Sequence, residues 1–88
     1  MEYNTDLKPC AARDFGKLAQ DVQKAVADVI DSLKENPRPV GVKNFSFNNQ
    51  DLYRIHEGHY RIIYEINDEA HVVLVVTIRN QYEGYLNI

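Results

Sequence analysis

The sequence predicts an α+β domain: an antiparallel sheet of about four strands with an N-terminal helical hairpin packed on one face. Three observations carry this. Residues 12–33 place apolar side chains at steps of three and four, whereas residues 52–79 are rich in Tyr, Ile and Val and alternate at steps of two. Between them stands Asn36-Pro37-Arg38-Pro39, which ends one regime before the other begins. At 88 residues the chain has room for one domain, residues 1–88. Its 44% hydrophobic and 26% charged content excludes wholesale disorder.

Taken in order, Glu2 to Leu7 alternates weakly and is expected as an edge strand. Lys8-Pro9 ends it, and proline suits the first turn of a helix, where its missing N–H has no partner to lose. Phe15, Leu18, Ala19, Val22, Ala25, Val26, Val29, Ile30 and Leu33 then form one helical stripe. Gly16 and the Leu18-Ala19 region divide that stretch into a hairpin of two helices. Asp21, Lys24, Asp28, Asp31 and Lys34 make the solvated side. After the proline break, strands are expected at Lys43 to Phe47, Leu52 to Glu57, Tyr60 to Asn67 and Val72 to Arg79.

Turn chemistry sets the register. Glu57-Gly58-His59-Tyr60 fits a two-residue type II′ hairpin with glycine at the first central position. That pairs Glu57 with Tyr60, His56 with Arg61, Ile55 with Ile62 and Tyr53 with Tyr64. One face then carries Tyr53, Ile55, Tyr60, Ile62, Tyr64 and Ile66. A three-residue loop, Asp68-Glu69-Ala70, adds Val72, Leu74, Val76 and Ile78 to it, and the helices dock there. The second face holds Ile63, Glu65, Val73, Val75 and Thr77 with four basic groups: Arg54, His56, Arg61 and Arg79.

Charge restricts the function classes. Ten Lys+Arg against thirteen Asp+Glu give a net −3 and a pI near 5.5, which counts against a free-standing nucleic-acid binder. Residues 36–66 are the exception: four basic against three acidic side chains leave a net +1, enough for a small positive site. The longest apolar run, Val72 to Val76, falls far short of the ~20 residues of a membrane span, so no membrane partner is expected. The first residues show no secretory signal, and the single cysteine, Cys10, suits a reducing compartment; the expected location is cytoplasmic. His56-x-x-His59 straddles a turn with no cysteine or carboxylate to complete a metal site, and no phosphate-loop motif exists. No metal or cofactor is expected.

Ala11-Ala12-Arg13-Asp14-Phe15, the run Asn36-Pro37-Arg38-Pro39-Val40-Gly41-Val42-Lys43, and above all Asp51-Leu52-Tyr53-Arg54-Ile55 with Gly58-His59-Tyr60-Arg61-Ile62-Ile63-Tyr64-Glu65-Ile66 resemble the RelE/ParE superfamily of bacterial type II toxins. The resemblance covers nearly the whole chain. It implies a cognate antitoxin as partner, with the ribosome and mRNA as targets of a RelE-like member or DNA gyrase as target of a ParE-like one. RelE-like members cleave mRNA in the ribosomal A site without a metal, the ribose 2′-hydroxyl attacking the adjacent phosphate. By this resemblance Arg61 stabilises the phosphate, Arg54 is a basic neighbour and Tyr85 takes part in proton transfer. Asn80 and Gln81 stand where many short members carry His-Arg; Arg79 either substitutes from one residue earlier or, with a gap after the strand, matches the arginine that longer members carry six before the tyrosine.

Each candidate has a plainer reading. Arg61 and Arg54 either hold a phosphate or pair across the sheet with Glu65 or Glu57. His56 either moves a proton or is an exposed strand residue. Tyr82 and Tyr85 either stack on a base or pack on the sheet. Three functions follow: a ribosome-dependent mRNA endonuclease that inhibits translation, a DNA gyrase inhibitor acting by binding, or an inactive module that only binds its antitoxin. The arginines and Tyr85 favour the first.

Overall fold

In the structure, a computed structural model describing residues 2–80, the elements run β1 (Asn4–Leu7), α1 (Pro9–Gly16), α2 (Gln20–Ser32), β2 (Lys43–Phe47), β3 (Gln50–Glu57), β4 (Tyr60–Asn67) and β5 (Val72–Asn80). Pro9 occupies the first turn of α1, as its lack of an N–H allows. The helical stripe breaks after Gly16, and Gln23 Nε2 donates to the Phe15 carbonyl at 3.0 Å to hold the two helices together at the corner. Asp21 in the first turn of α2 complements the helix dipole where the N-cap, Ala19, offers no side-chain acceptor. No helix among the described residues is long and apolar enough to cross a membrane.

The sheet has five strands in the order β1-β5-β4-β3-β2, the four expected after the proline break and the expected N-terminal edge strand. Three pairings are antiparallel, but β1 runs parallel to β5, with Asn4 beside Val72 and Leu7 beside Val75. The sheet is therefore mixed. This pairing joins the two ends of the sequence, so no turn between neighbouring strands announces it.

The β3–β4 hairpin has the register that its turn implies: Glu57 opposes Tyr60, His56 opposes Arg61 and Tyr53 opposes Tyr64. Gly58 sits at φ +59, where an L side chain crowds its own carbonyl. Gly58→Ala should therefore cost about 1–2 kcal/mol of unfolding free energy in urea titration, although open space surrounds the site. Asn48 and Asn49 both adopt positive φ and close β2 onto β3 as a second two-residue hairpin.

The β4–β5 connection departs from expectation. The loop takes four residues, Asp68 to His71, with His71 at φ +55, so Asn67 opposes Val72. The extra residue inverts the start of β5: Val73 and Val75, not Val72 and Leu74, face the helices and are fully buried. A bulge at Val76, between the Ile63–Thr77 and Tyr64–Val75 pairs, then restores Ile78 to the core side. Ala11, Val26, Ile30 and Leu33 of the helical region close over Ile62, Tyr64, Val73, Val75 and Ile78. Tyr64 is wholly buried, and its hydroxyl donates to the Pro37 carbonyl at 2.7 Å, tying the proline linker to the sheet.

A candidate anion-binding sheet face

Because side chains alternate along a strand, placing Tyr53, Ile55, Ile62 and Tyr64 under the helices puts Arg54, His56, Arg61 and Ile63 on the opposite face. Cross-strand register assembles the cations there. His56 opposes Arg61, Arg61 opposes Arg79, and Lys43 opposes Arg54. Directly opposed residues have Cβ atoms ~4.5–5.5 Å apart, a spacing at which like charges destabilise a sheet. Ile63, fully buried, stands between Arg54 across the strand pair and Arg61 two residues before it.

The plainer reading, cross-strand pairing with a glutamate, does not hold. Glu65 accepts instead from Gln50 Nε2 at 3.1 Å, and Glu57 lies on the other face opposite Tyr60. Among the described residues the ion pairs are Lys34–Asp31 and Arg38–Asp68. Among the described residues neither Arg54 nor Arg61 has a carboxylate partner, and the Nε of each is buried without an acceptor there. A buried donor left unmade costs ~1–3 kcal/mol, and more when the group is charged. Such a cluster is stabilised by an incoming anion.

His56 is exposed beside this cluster. Partial desolvation, then the charges of Arg54, Arg61 and Lys43, hold its pKa below the ordinary histidine value. At neutral pH it is thus a neutral imidazole among cations, able to take up a proton. The arrangement offers positive charge for a phosphate and one group suited to proton transfer.

Sequence reasoning named Arg54, His56, Arg61 and Arg79, and the register brings all four together. Tyr85 and Tyr82 lie outside the described residues. Lys43 was overlooked. The Asn48-Asn49 turn would have revealed it, because a two-residue hairpin pairs Phe47 with Gln50 and hence Lys43 with Arg54. Asp14 was overlooked too. One of its carboxylate oxygens accepts from the Thr77 hydroxyl at 2.9 Å and the Ile78 amide at 3.2 Å, beyond the point where β1 stops covering β5. It thereby holds the strand just before Arg79. A groove of about 290 Å³ opens beside that arginine, lined by Asp14, Lys17, Leu18, Tyr60, Ile78 and Asn80.

Arg38, the remaining cation of the basic middle segment, serves structure. It donates to both Asp68 carboxylate oxygens at 3.2 and 2.9 Å and to the Tyr53 hydroxyl at 3.3 Å, while Tyr3 donates to the same aspartate at 2.7 Å. Hydrogen bonds from Arg38 and then Tyr3 pull the Asp68 pKa from 3.8 to about 2. A depressed carboxylate pKa adds stability that is complete above its unfolded value and lost as pH falls through the folded one. Melting temperature should therefore drop between about pH 4 and pH 2, and Asp68→Asn should flatten that part of the profile.

Known proteins share this architecture. A family model for the ParE toxin of the type II toxin–antitoxin system parDE matches residues 5–85. Toxin RelE of Mycobacterium tuberculosis is 29% identical over 84 residues, covering 94% of this chain and 86% of that protein. The crystal structure of the archaeal RelE–RelB complex from Pyrococcus horikoshii superposes with a TM-score of 0.82 at 22% identity, over 96% of this chain and 100% of that one. The toxin–antitoxin complex RelBE2 from M. tuberculosis gives 0.81 at 25% identity, over 91% and 99% respectively. With the family match spanning nearly all its length, this chain belongs to the ParE toxin family of type II toxin–antitoxin systems, within the RelE/ParE superfamily.

Proposed function

We propose that this toxin is a ribosome-dependent mRNA endonuclease whose cationic sheet face holds the scissile phosphate. One observation carries the reading: among the described residues Arg54 and Arg61 stand without carboxylate partners, in a row of cations that costs the fold stability. In the reaction the ribose 2′-oxygen forms a bond to phosphorus as the bond to the 5′-oxygen breaks. Arg61, flanked by Arg54, Arg79 and Lys43, stabilises the charge that accumulates on the phosphoryl oxygens. His56 and Tyr85 are the groups assigned to proton transfer. The partner in the resting cell is a cognate antitoxin, as in the RelE–RelB and RelBE2 complexes that share the fold. An extended or helical antitoxin segment with acidic side chains suits the cationic face.

A second reading is inhibition of DNA gyrase by binding, favoured by the ParE character of the family match and by the net charge of −3. Primer extension on translated mRNA separates the two. Cuts within codons that vanish when translation is blocked are expected. Intact mRNA together with blocked gyrase supercoiling would replace the first reading with the second, and absence of both effects would leave a protein that only binds its antitoxin.

A further inference from the structure

We propose that this face takes up a proton together with a phosphodiester, and that His56 is the group that receives it. The inference rests on the reading of the face as a phosphate site and specifies how that site binds.

Geometry comes first. His56 is flanked by Arg54 two residues earlier on β3, opposed by Arg61 on β4, and joined through Arg61 to Arg79 on β5; Lys43 on β2 lies beside Arg54. The nearest carboxylate on the same face among the described residues, Glu65, sits toward the other end of β4 and is engaged by Gln50. Glu57 follows His56 but faces the helices, and His59 belongs to the turn beyond it. Among the described residues, every charge close to the imidazole on this face is therefore positive. Partial desolvation and then these charges favour the neutral ring.

A phosphodiester among Arg54, Arg61 and Lys43 reverses that balance. It offsets the cations that disfavour the imidazolium and sets a negative charge within reach of the exposed ring. Opposite charge at ~4–6 Å typically moves a pKa by about 1–3 units toward the charged form. Since His56 begins below the ordinary histidine value, such a shift moves its titration upward, toward the neutral range. Bound toxin thus keeps this group protonated to a higher pH than free toxin does. Over the interval between the two pKa values, affinity for the phosphodiester should rise up to ~10-fold for each unit of falling pH.

The test is an NMR titration of the full chain with a 2′-deoxy dinucleotide. Its single phosphodiester does not titrate between pH 5 and 8, and it lacks the 2′-hydroxyl needed for cleavage. The His56 ring pKa should rise by about one unit or more on saturation. In His56→Gln the dinucleotide should still bind, with the pH dependence of its affinity flattened. Dinucleotide that shifts the Arg54 and Arg61 amides but leaves the His56 titration unmoved would overturn the proton coupling and leave the phosphate site standing. Absence of any shift at those amides would overturn both.

Discussion

Arg61→Ala is expected to lower translation-dependent mRNA cleavage by about 10²–10³, abolishing growth inhibition, while the protein stays folded. The size follows from where the charge sits. A guanidinium among other cations, with no carboxylate partner among the described residues, adds no favourable pairing to the folded state but acts fully on charge that develops on a bound phosphate. Removing it also removes like-charge repulsion against Arg79 and His56, its two cross-strand neighbours. Unfolding free energy should consequently hold or rise, by up to ~1–3 kcal/mol, as the buried, unsatisfied Nε goes with the side chain. Arg61→Lys keeps the charge but loses the planar fork and should fall between the two. Primer extension and urea denaturation on the same preparations check both halves. A folded Arg61→Ala protein with undiminished cleavage would remove this residue from the site.

Tyr64→Ala should have the largest effect on stability, about 3–5 kcal/mol, by analogy with other buried aromatic truncations. The ring is fully buried, lies 5.7 Å from the Tyr53 ring in a stacked arrangement, and packs in the cluster beneath the helices. Its hydroxyl donates to the Pro37 carbonyl, so truncation also releases the linker that enters β2. Burial pushes the phenol pKa well above its ordinary value, which keeps the hydroxyl a donor at any working pH. Tyr64→Phe isolates that bond and should cost ~1–3 kcal/mol. Against a total of ~5–15 kcal/mol for a small domain, the alanine variant would be partly unfolded at 37 °C. Urea midpoints for the two variants, compared at constant slope, separate packing from hydrogen bonding.

Much of the architecture was legible because its determinants are local. The stripe from Phe15 to Leu33 needs a 3.6-residue period, and Gly16 lies where that period breaks into α1 and α2. Gly58 at the first central position of a two-residue turn sets the β3–β4 register, and with it the opposition of His56 and Arg61. The candidate site was visible to the same extent, because three of its groups, Arg54, His56 and Arg61, belong to that single hairpin. Arg79 was placed on the right face for a reason the sequence did not hold: the bulge at Val76 undid the inversion introduced by the longer loop.

By itself, then, the sequence determined the helical hairpin, the strand-rich second half, the central hairpin register and the family. Tertiary structure alone decided that β1 lies parallel to β5, that Val73 and Val75 rather than Val72 and Leu74 enter the core, and that Asp14 closes the exposed edge before Arg79. It also sorted the basic residues, fastening Arg38 to Asp68 while giving Arg54 and Arg61 no carboxylate among the described residues. The division follows from range. A turn and its two strands bury their pattern against each other within about a dozen residues, whereas one residue added to a loop flips every side chain after it, and only the packing of the whole core decides which face wins.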